Sequence, residues 1–189
     1  MDQTVFYGGS FDPPHFGHLW LINWIRLALE PKEILIAPTV NHPWKPLLRD
    51  FGTRARWVQT ALGEQPGVSV VRAPELFTHD TIARLRRERP RDRFLVVLGS
   101  DFIPVLNDWE GWDILTATAD VLFVSRKGSA IPQNFRYPIV CPDLPQISST
   151  QIRKWVTTGD SDSLRHYVPN FIVEELLEER GHKPIETEP

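Results

Sequence analysis

Two histidines three residues apart, His15 and His18, sit in the run Gly8-Gly9-Ser10-Phe11-Asp12-Pro13-Pro14-His15-Phe16-Gly17-His18-Leu19. The run follows a short apolar strand and opens a strongly apolar helix, so the pair falls across the helix's first turn and shares a face. Gly17 leaves the backbone between them open to close approach, and Gly8 and Gly9 permit unusual backbone angles. A helix N-terminus adds free N–H groups and partial positive charge. Ser10 adds a donor, and Pro13 and Pro14 stiffen the entry. Together these residues suit a polyphosphate. A bound phosphate favours protonated imidazole, which then stabilises charge growing at a reacting phosphorus. An isolated His-x-x-His says little; the strand–turn–helix setting gives it weight. Two roles fit Asp12, orienting a histidine or capping the turn.

A second run, Ile147-Ser148-Ser149-Thr150-Gln151-Ile152-Arg153, places hydroxyls before a helical stretch. Alone this reads as an ordinary N-cap. Beside the first run it reads as a second phosphate cradle, with Arg153 four residues beyond Ser149 and able to grip a phosphate bidentately.

Apolar runs alternating with helical patterns must position these residues. Strands are expected at Val5–Tyr7, Glu33–Ala37, Val68–Arg72, Phe94–Leu98 and Val121–Val124, with Tyr137–Cys141 a candidate sixth. Helices are expected at His18–Leu29, Thr53–Leu62, Thr78–Arg89, Trp112–Thr118, Ser149–Thr157, Ser161–His166 and Asn170–Glu179. The first presents Trp20, Leu21, Trp24, Ile25 and Ala28 at helical spacing. A long polar loop spans Pro38–Asp50, and a short helix or turn precedes Trp112. Such alternation implies an α/β fold: a doubly wound parallel sheet with right-handed crossovers and C-terminal helices. Ligands then gather beyond the carboxyl ends of the strands. Residues 1–180 read as one domain and 181–189 as a tail.

The 189 residues are 41% hydrophobic and 24% charged, with a formal net charge of -3, which favours a globular protein and gives no reason to expect nucleic-acid binding. Cys141 is the only cysteine, so an intrachain disulfide and a cysteine zinc site are excluded. No run suggests a secretory leader or a membrane span, which leads to the expectation of a cytoplasmic protein. Trp44, Trp109 and Trp112 lie among polar or turn residues, with Trp112 expected in packing. Arg54 and Arg56 are expected to solvate the second helix; His42, His79, His166 and His182 receive no role.

The two runs together resemble the bacterial nicotinate (nicotinamide) mononucleotide adenylyltransferases, of the His-x-Gly-His nucleotidylyltransferase superfamily, whose fold is Rossmann-like. The resemblance covers most of the chain. Phe77-Thr78-His79-Asp80-Thr81-Ile82 resembles the family segment that contacts the nicotinate end of the acceptor. Leu98-Gly99-Ser100-Asp101 resembles its ribose-binding segment, and Leu106-Asn107-Asp108-Trp109 the stretch whose tryptophan stacks on the pyridine ring. Val124-Ser125-Arg126-Lys127-Gly128 and Tyr167-Val168-Pro169 match further segments in the family's order. His15 argues against the related pantetheine-phosphate enzymes, which usually carry Thr there. One stretch departs: Asn41-His42-Pro43-Trp44-Lys45-Pro46 stands where the family commonly has Pro-Pro-His-Lys, with Lys45 keeping the basic position.

The resemblance implies adenylyl transfer from ATP to nicotinate mononucleotide, with the nicotinamide form as a second acceptor, releasing pyrophosphate. It implies catalytic roles for His15, His18, Lys45 and Arg153. ATP contacts would come from Gly8, Gly9, Ser10, Phe11, His15, His18, Gly99, Asp101, Ile147, Ser148, Ser149, Thr150 and Arg153, and acceptor contacts from Thr78, Asp80, Thr81 and Trp109. Mg2+ is expected with ATP, without a protein metal cage. No nucleic-acid or membrane partner is expected, and a homo-oligomer is left open. Transfer to another phosphorylated acceptor, or a non-catalytic nucleotide-binding regulator, would keep the same fold. A dinucleotide-dependent oxidoreductase needs Gly-x-Gly-x-x-Gly after the first strand, which Gly8-Gly9-Ser10-Phe11 does not supply.

Overall fold

The computed structural model describes residues 3–40, 47–125 and 131–182. Six parallel strands form one sheet: β1 (Gln3–Gly9), β2 (Glu33–Pro38), β3 (Val68–Val70), β4 (Arg93–Gly99), β5 (Asp120–Val124) and β6 (Ile139–Val140). Their order is β3-β2-β1-β4-β5-β6, so the winding direction reverses between β1 and β4. Expected and observed strands agree in place and differ in length. β1 runs on because Gly8 and Gly9 pair with Ala37 and Pro38 of β2, a ladder that hydropathy does not reveal. β3 is short, and β6 keeps only two residues, paired with Phe123 and Val124.

Side chains alternate between the two faces of the sheet, and both faces are buried. Val5, Tyr7, Ile34, Ile36, Leu95 and Val97 meet α1 (Phe16–Leu29) and α2 (Phe51–Leu62) on one face. Phe6, Leu35, Phe94, Val96, Leu98 and Phe123 meet α3 (Thr78–Glu88) and α4 (Trp112–Thr118) on the other. A third cluster joins Trp57 of α2 to α5 (Ser149–Thr158), α6 (Ser161–Tyr167) and α7 (Asn170–His182). The Trp57 indole N–H donates to Glu175 at 2.8 Å, and Arg56 forks onto the same carboxylate at 2.6 and 2.8 Å. The Arg56 guanidinium, helped by the Trp57 N–H, outweighs the burial that pushes the Glu175 carboxyl up and holds it below its ordinary range.

Helix starts follow their caps. α2 begins two residues before the expected Thr53 because Asp50 Oδ1 accepts the Thr53 N–H at 3.0 Å. α1 begins at Phe16 with His15 as its N-cap. Its buried stripe is His18, Leu21, Ile22 and Ile25, which turns Trp20 outward at 58% exposure instead of into the core. α7 continues to His182, two residues into the segment read as a tail. Trp112 packs as expected, against Tyr137 and Phe123. Among the described residues no helix is long and apolar enough to cross a membrane.

Candidate active site

The β1–β4 ladder stops at Phe6↔Val96, and beyond it the carboxyl ends of the two strands bound a crevice. Two chambers open there, and both are walled by Gly8, Gly9, Ser10, Leu98 and Phe102. One, of about 340 Å³, is polar in its chemistry; the other, of about 530 Å³, is lined mainly by apolar groups.

The polar chamber gathers the first loop, the start of α1, the end of β4 and the start of α5. Every described residue expected to touch ATP lines it: Gly8, Gly9, Ser10, Phe11, His15, His18, Gly99, Asp101, Ile147, Ser148, Ser149, Thr150 and Arg153. Lys45, and Trp44 beside it, lie outside the described residues. His15 and His18 are both buried, and their rings stack with centroids 3.7 Å apart. The His15 backbone N–H donates to Nδ1 of His18 at 3.3 Å. That bond leaves Nε2 of His18 as the ring's donor. Gly17 gives this stack its room: a Cβ there would sit 3.0 Å from His15 Nδ1 and 3.2 Å from the Pro145 carbonyl oxygen, so the ring or the carbonyl would have to give by a few tenths of an ångström.

Phe11 takes φ 48°, a left-handed conformation costing about 1–3 kcal/mol in a bulky residue. Its ring offsets that cost by full burial, edge-on to Tyr7 at 5.6 Å and 4.8 Å from the His18 ring. The α5 start is stitched to the same loop. Ser149 Oγ donates to the Pro13 carbonyl at 3.0 Å, and Arg153 Nη1 donates to the Asp12 carbonyl at 2.8 Å. Arg153 Nη2 bonds Thr150 Oγ1 at 3.0 Å. The guanidinium expected to fork onto a phosphate is therefore engaged with its own protein, at the chamber wall. Ser148 is the N-cap, its Oγ accepting the Gln151 N–H at 3.2 Å. The carboxylate of Asp12 accepts the Leu48 N–H at 2.6 Å, tying the first loop to the approach of α2.

The apolar chamber is walled by Phe6, Ala37, Ala73, Leu76, Phe77, Val96, Phe102, Val105 and Trp109, with Thr78 and Thr81 at the start of α3. Three of the four expected acceptor residues, Thr78, Thr81 and Trp109, reach it. Asp80 does not line it; its carboxylate is exposed and lies 3.3 Å from His79 Nε2. The sequence reading passed over Glu75, which also lines the chamber. Burial pushes its carboxyl up, but Arg84 at 2.6 Å and the Thr81 hydroxyl at 3.2 Å outweigh that and hold it below the ordinary range.

Arg54 corrects a second reading. Far from solvating α2, it is 1% exposed. It occupies the stripe it shares with Trp57, Val58 and Leu62, and that spacing was the available signal. Burial lowers its pKa, against the pull of Asp12 and Asp50.

This fold and crevice are those of a nucleotidyltransferase. The family model for cytidylyltransferase-like proteins matches residues 6–155. A protein of Anaeromyxobacter sp. strain K named as a nicotinate-nucleotide adenylyltransferase is 32% identical, over 95% of this chain and 95% of its own. Another with that name, from Geobacillus thermodenitrificans, is 31% identical over 96% of this chain and 86% of its own. The Plasmodium falciparum nicotinic acid mononucleotide adenylyltransferase complexed with NaAD superposes with a TM-score of 0.83 at 19% identity, over 94% of this chain and 95% of that one. The chain belongs to the nicotinate-nucleotide adenylyltransferase family of cytidylyltransferase-like proteins.

Proposed function

We propose that this protein transfers the adenylyl group of ATP to the 5′-phosphate of nicotinate mononucleotide, forming the dinucleotide and pyrophosphate, with nicotinamide mononucleotide as a slower acceptor. The observation that carries this reading is the pair of chambers meeting at Gly8–Ser10, one polar with stacked histidines and one apolar with an indole on its wall. ATP fills the first and the pyridine mononucleotide the second, so the α-phosphate and the attacking phosphate meet at the shared wall.

The attacking phosphate is a monoester with a second pKa of about 6, already largely ionised at neutral pH, so the site needs no general base. The protein's contribution is positioning and charge stabilisation. Nε2 of His18 and the His15 ring face the phosphates. The α5 start and Arg153 hold the polyphosphate-facing wall, and Lys45 adds a cation. Asp101, exposed in the 3-10 segment that follows β4, takes the ribose. Trp109 offers a face to the pyridine ring. Preference for the acid form follows from α3, whose N-terminal turn opens on the apolar chamber at Phe77 and Thr78. Its free N–H groups and partial positive charge suit a carboxylate better than an amide.

Magnesium, when bound with ATP, lowers the charge that leaves with pyrophosphate. Among the described residues no three His, Cys, Asp or Glu side chains converge on one point. Asp12 and Asp101 are the carboxylates on the polar chamber's wall, and a metal bound beside them would be held mainly by phosphate oxygens and water.

The test is pyrophosphate release from ATP and magnesium with each mononucleotide as sole acceptor. Release that is faster with the acid supports the full reading. Equal rates remove the acid preference, and no release from protein that binds ATP removes the pyridine acceptor.

A further inference from the structure

Arg54 lines neither chamber, yet its three donor groups hold three separate backbone carbonyls. Nε donates to Arg49 at 3.0 Å, Nη2 to Thr39 at 2.6 Å and Nη1 to Ser10 at 2.6 Å. The last of these fixes more than a carbonyl. Across the trans peptide from Ser10 to Phe11, the C=O and the N–H lie in one plane and point in opposite directions. Drawing the Ser10 oxygen toward buried Arg54 turns the Phe11 N–H the other way. Ser10 and Phe11 line the polar chamber, and Arg54 lies behind them, outside its lining. Thr39 completes the frame: its N–H donates to the Gly9 carbonyl at 2.9 Å while its own carbonyl is held by Arg54.

We propose that Arg54 is a positioning residue that aims the Phe11 amide N–H at a phosphate of the nucleotide triphosphate. A planar guanidinium is required because the three carbonyls come from three segments and each takes a different nitrogen. A lysine keeps the charge but not the fork. The inference rests on the adenylyl-transfer reading only in naming the triphosphate as the ligand.

Two measurements test it. In R54K, calorimetric titration is expected to show pyrophosphate and ATP bound about tenfold more weakly, with mononucleotide affinity unchanged. A variant that melts lower but binds both as the wild type does would make Arg54 a strut alone and overturn the proposal. The second measurement uses the wild-type protein and stands if R54K does not fold. Ser10–Phe11 is the chain's only Ser-Phe pair, so carbonyl-¹³C serine with ¹⁵N phenylalanine yields one coupled amide signal. Saturating pyrophosphate is expected to move its proton downfield. An unmoved signal in protein that binds pyrophosphate overturns this inference and leaves adenylyl transfer standing. Protein that binds neither pyrophosphate nor ATP overturns both.

Discussion

The two chambers share a wall and are built in opposite ways. The polar one draws most of its polar side chains from two short runs, Gly8–His18 and Gln146–Arg153, brought together by bonds from side chain to backbone. The apolar one gathers residues from β1, β2, β4, the run Glu75–Thr78 that leads into α3 and the 3-10 segment Ser100–Asp108, over the sheet and core beneath it. Phosphate needs a dense array of oriented donors, which a loop and a helix start supply locally. A flat ring needs area and shape, which scattered side chains supply equally well. Substitutions in the first chamber should therefore act on chemistry and nucleotide binding, and those in the second on acceptor binding.

The largest effect is expected from His18→Ala, which removes a donor where charge develops. Pyrophosphate release at saturating substrates should fall by about 100-fold or more with melting temperature little changed. Unchanged turnover would remove the proposed role of the histidine pair. Trp109→Ala comes next and tests the other side. Its Michaelis constant for the mononucleotide should rise about tenfold, as lost ring stacking implies, while that for ATP stays put. A rise in the ATP constant instead would dissolve the division of labour between chambers. Ser149→Ala cuts the Pro13 bond and should cost about 1 kcal/mol of stability in denaturant titration, with a few-fold loss of ATP affinity. The smallest effect concerns pH. Because the Glu75 carboxyl is held below its ordinary value in the native state, its contribution to stability is present above the unfolded value and fades as pH falls through the native one. Glu75→Gln should flatten the decline in melting temperature between about pH 6 and pH 3; an unaltered slope would mean the Arg84 pairing adds nothing measurable.

The same contrast explains what could be read from the chain. The polar chamber was legible because its donors are consecutive, and their residue types match what phosphate requires. Thr78, Thr81 and Trp109 came through resemblance, since nothing in their spacing marks a common pocket. Glu75 was missed because a lone carboxylate before a helix looks like any surface charge. Arg54 was misread because charge usually means solvent. Its place in a stripe with Trp57 and Val58 outweighed that rule, and three carbonyls supplied the partners burial demands. The sheet itself followed from alternation, while strand ends did not, because the β1–β2 ladder extends through glycines and a proline that carry no hydropathy signal.

The bonds from Ser149 to Pro13 and from Arg153 to Asp12 span 136 and 141 residues. During synthesis the first loop emerges early, but its second wall does not exist until α5 has been made. A nascent chain that has completed β5 already holds the strands around the crevice and most of the apolar chamber. It has no closed polar chamber. That second wall can dock only after the chain beyond β5 has been added. If ATP binds there as proposed, its binding reports that the chain has folded through α5, and ATP present during refolding should favour that final step over the partly assembled forms before it.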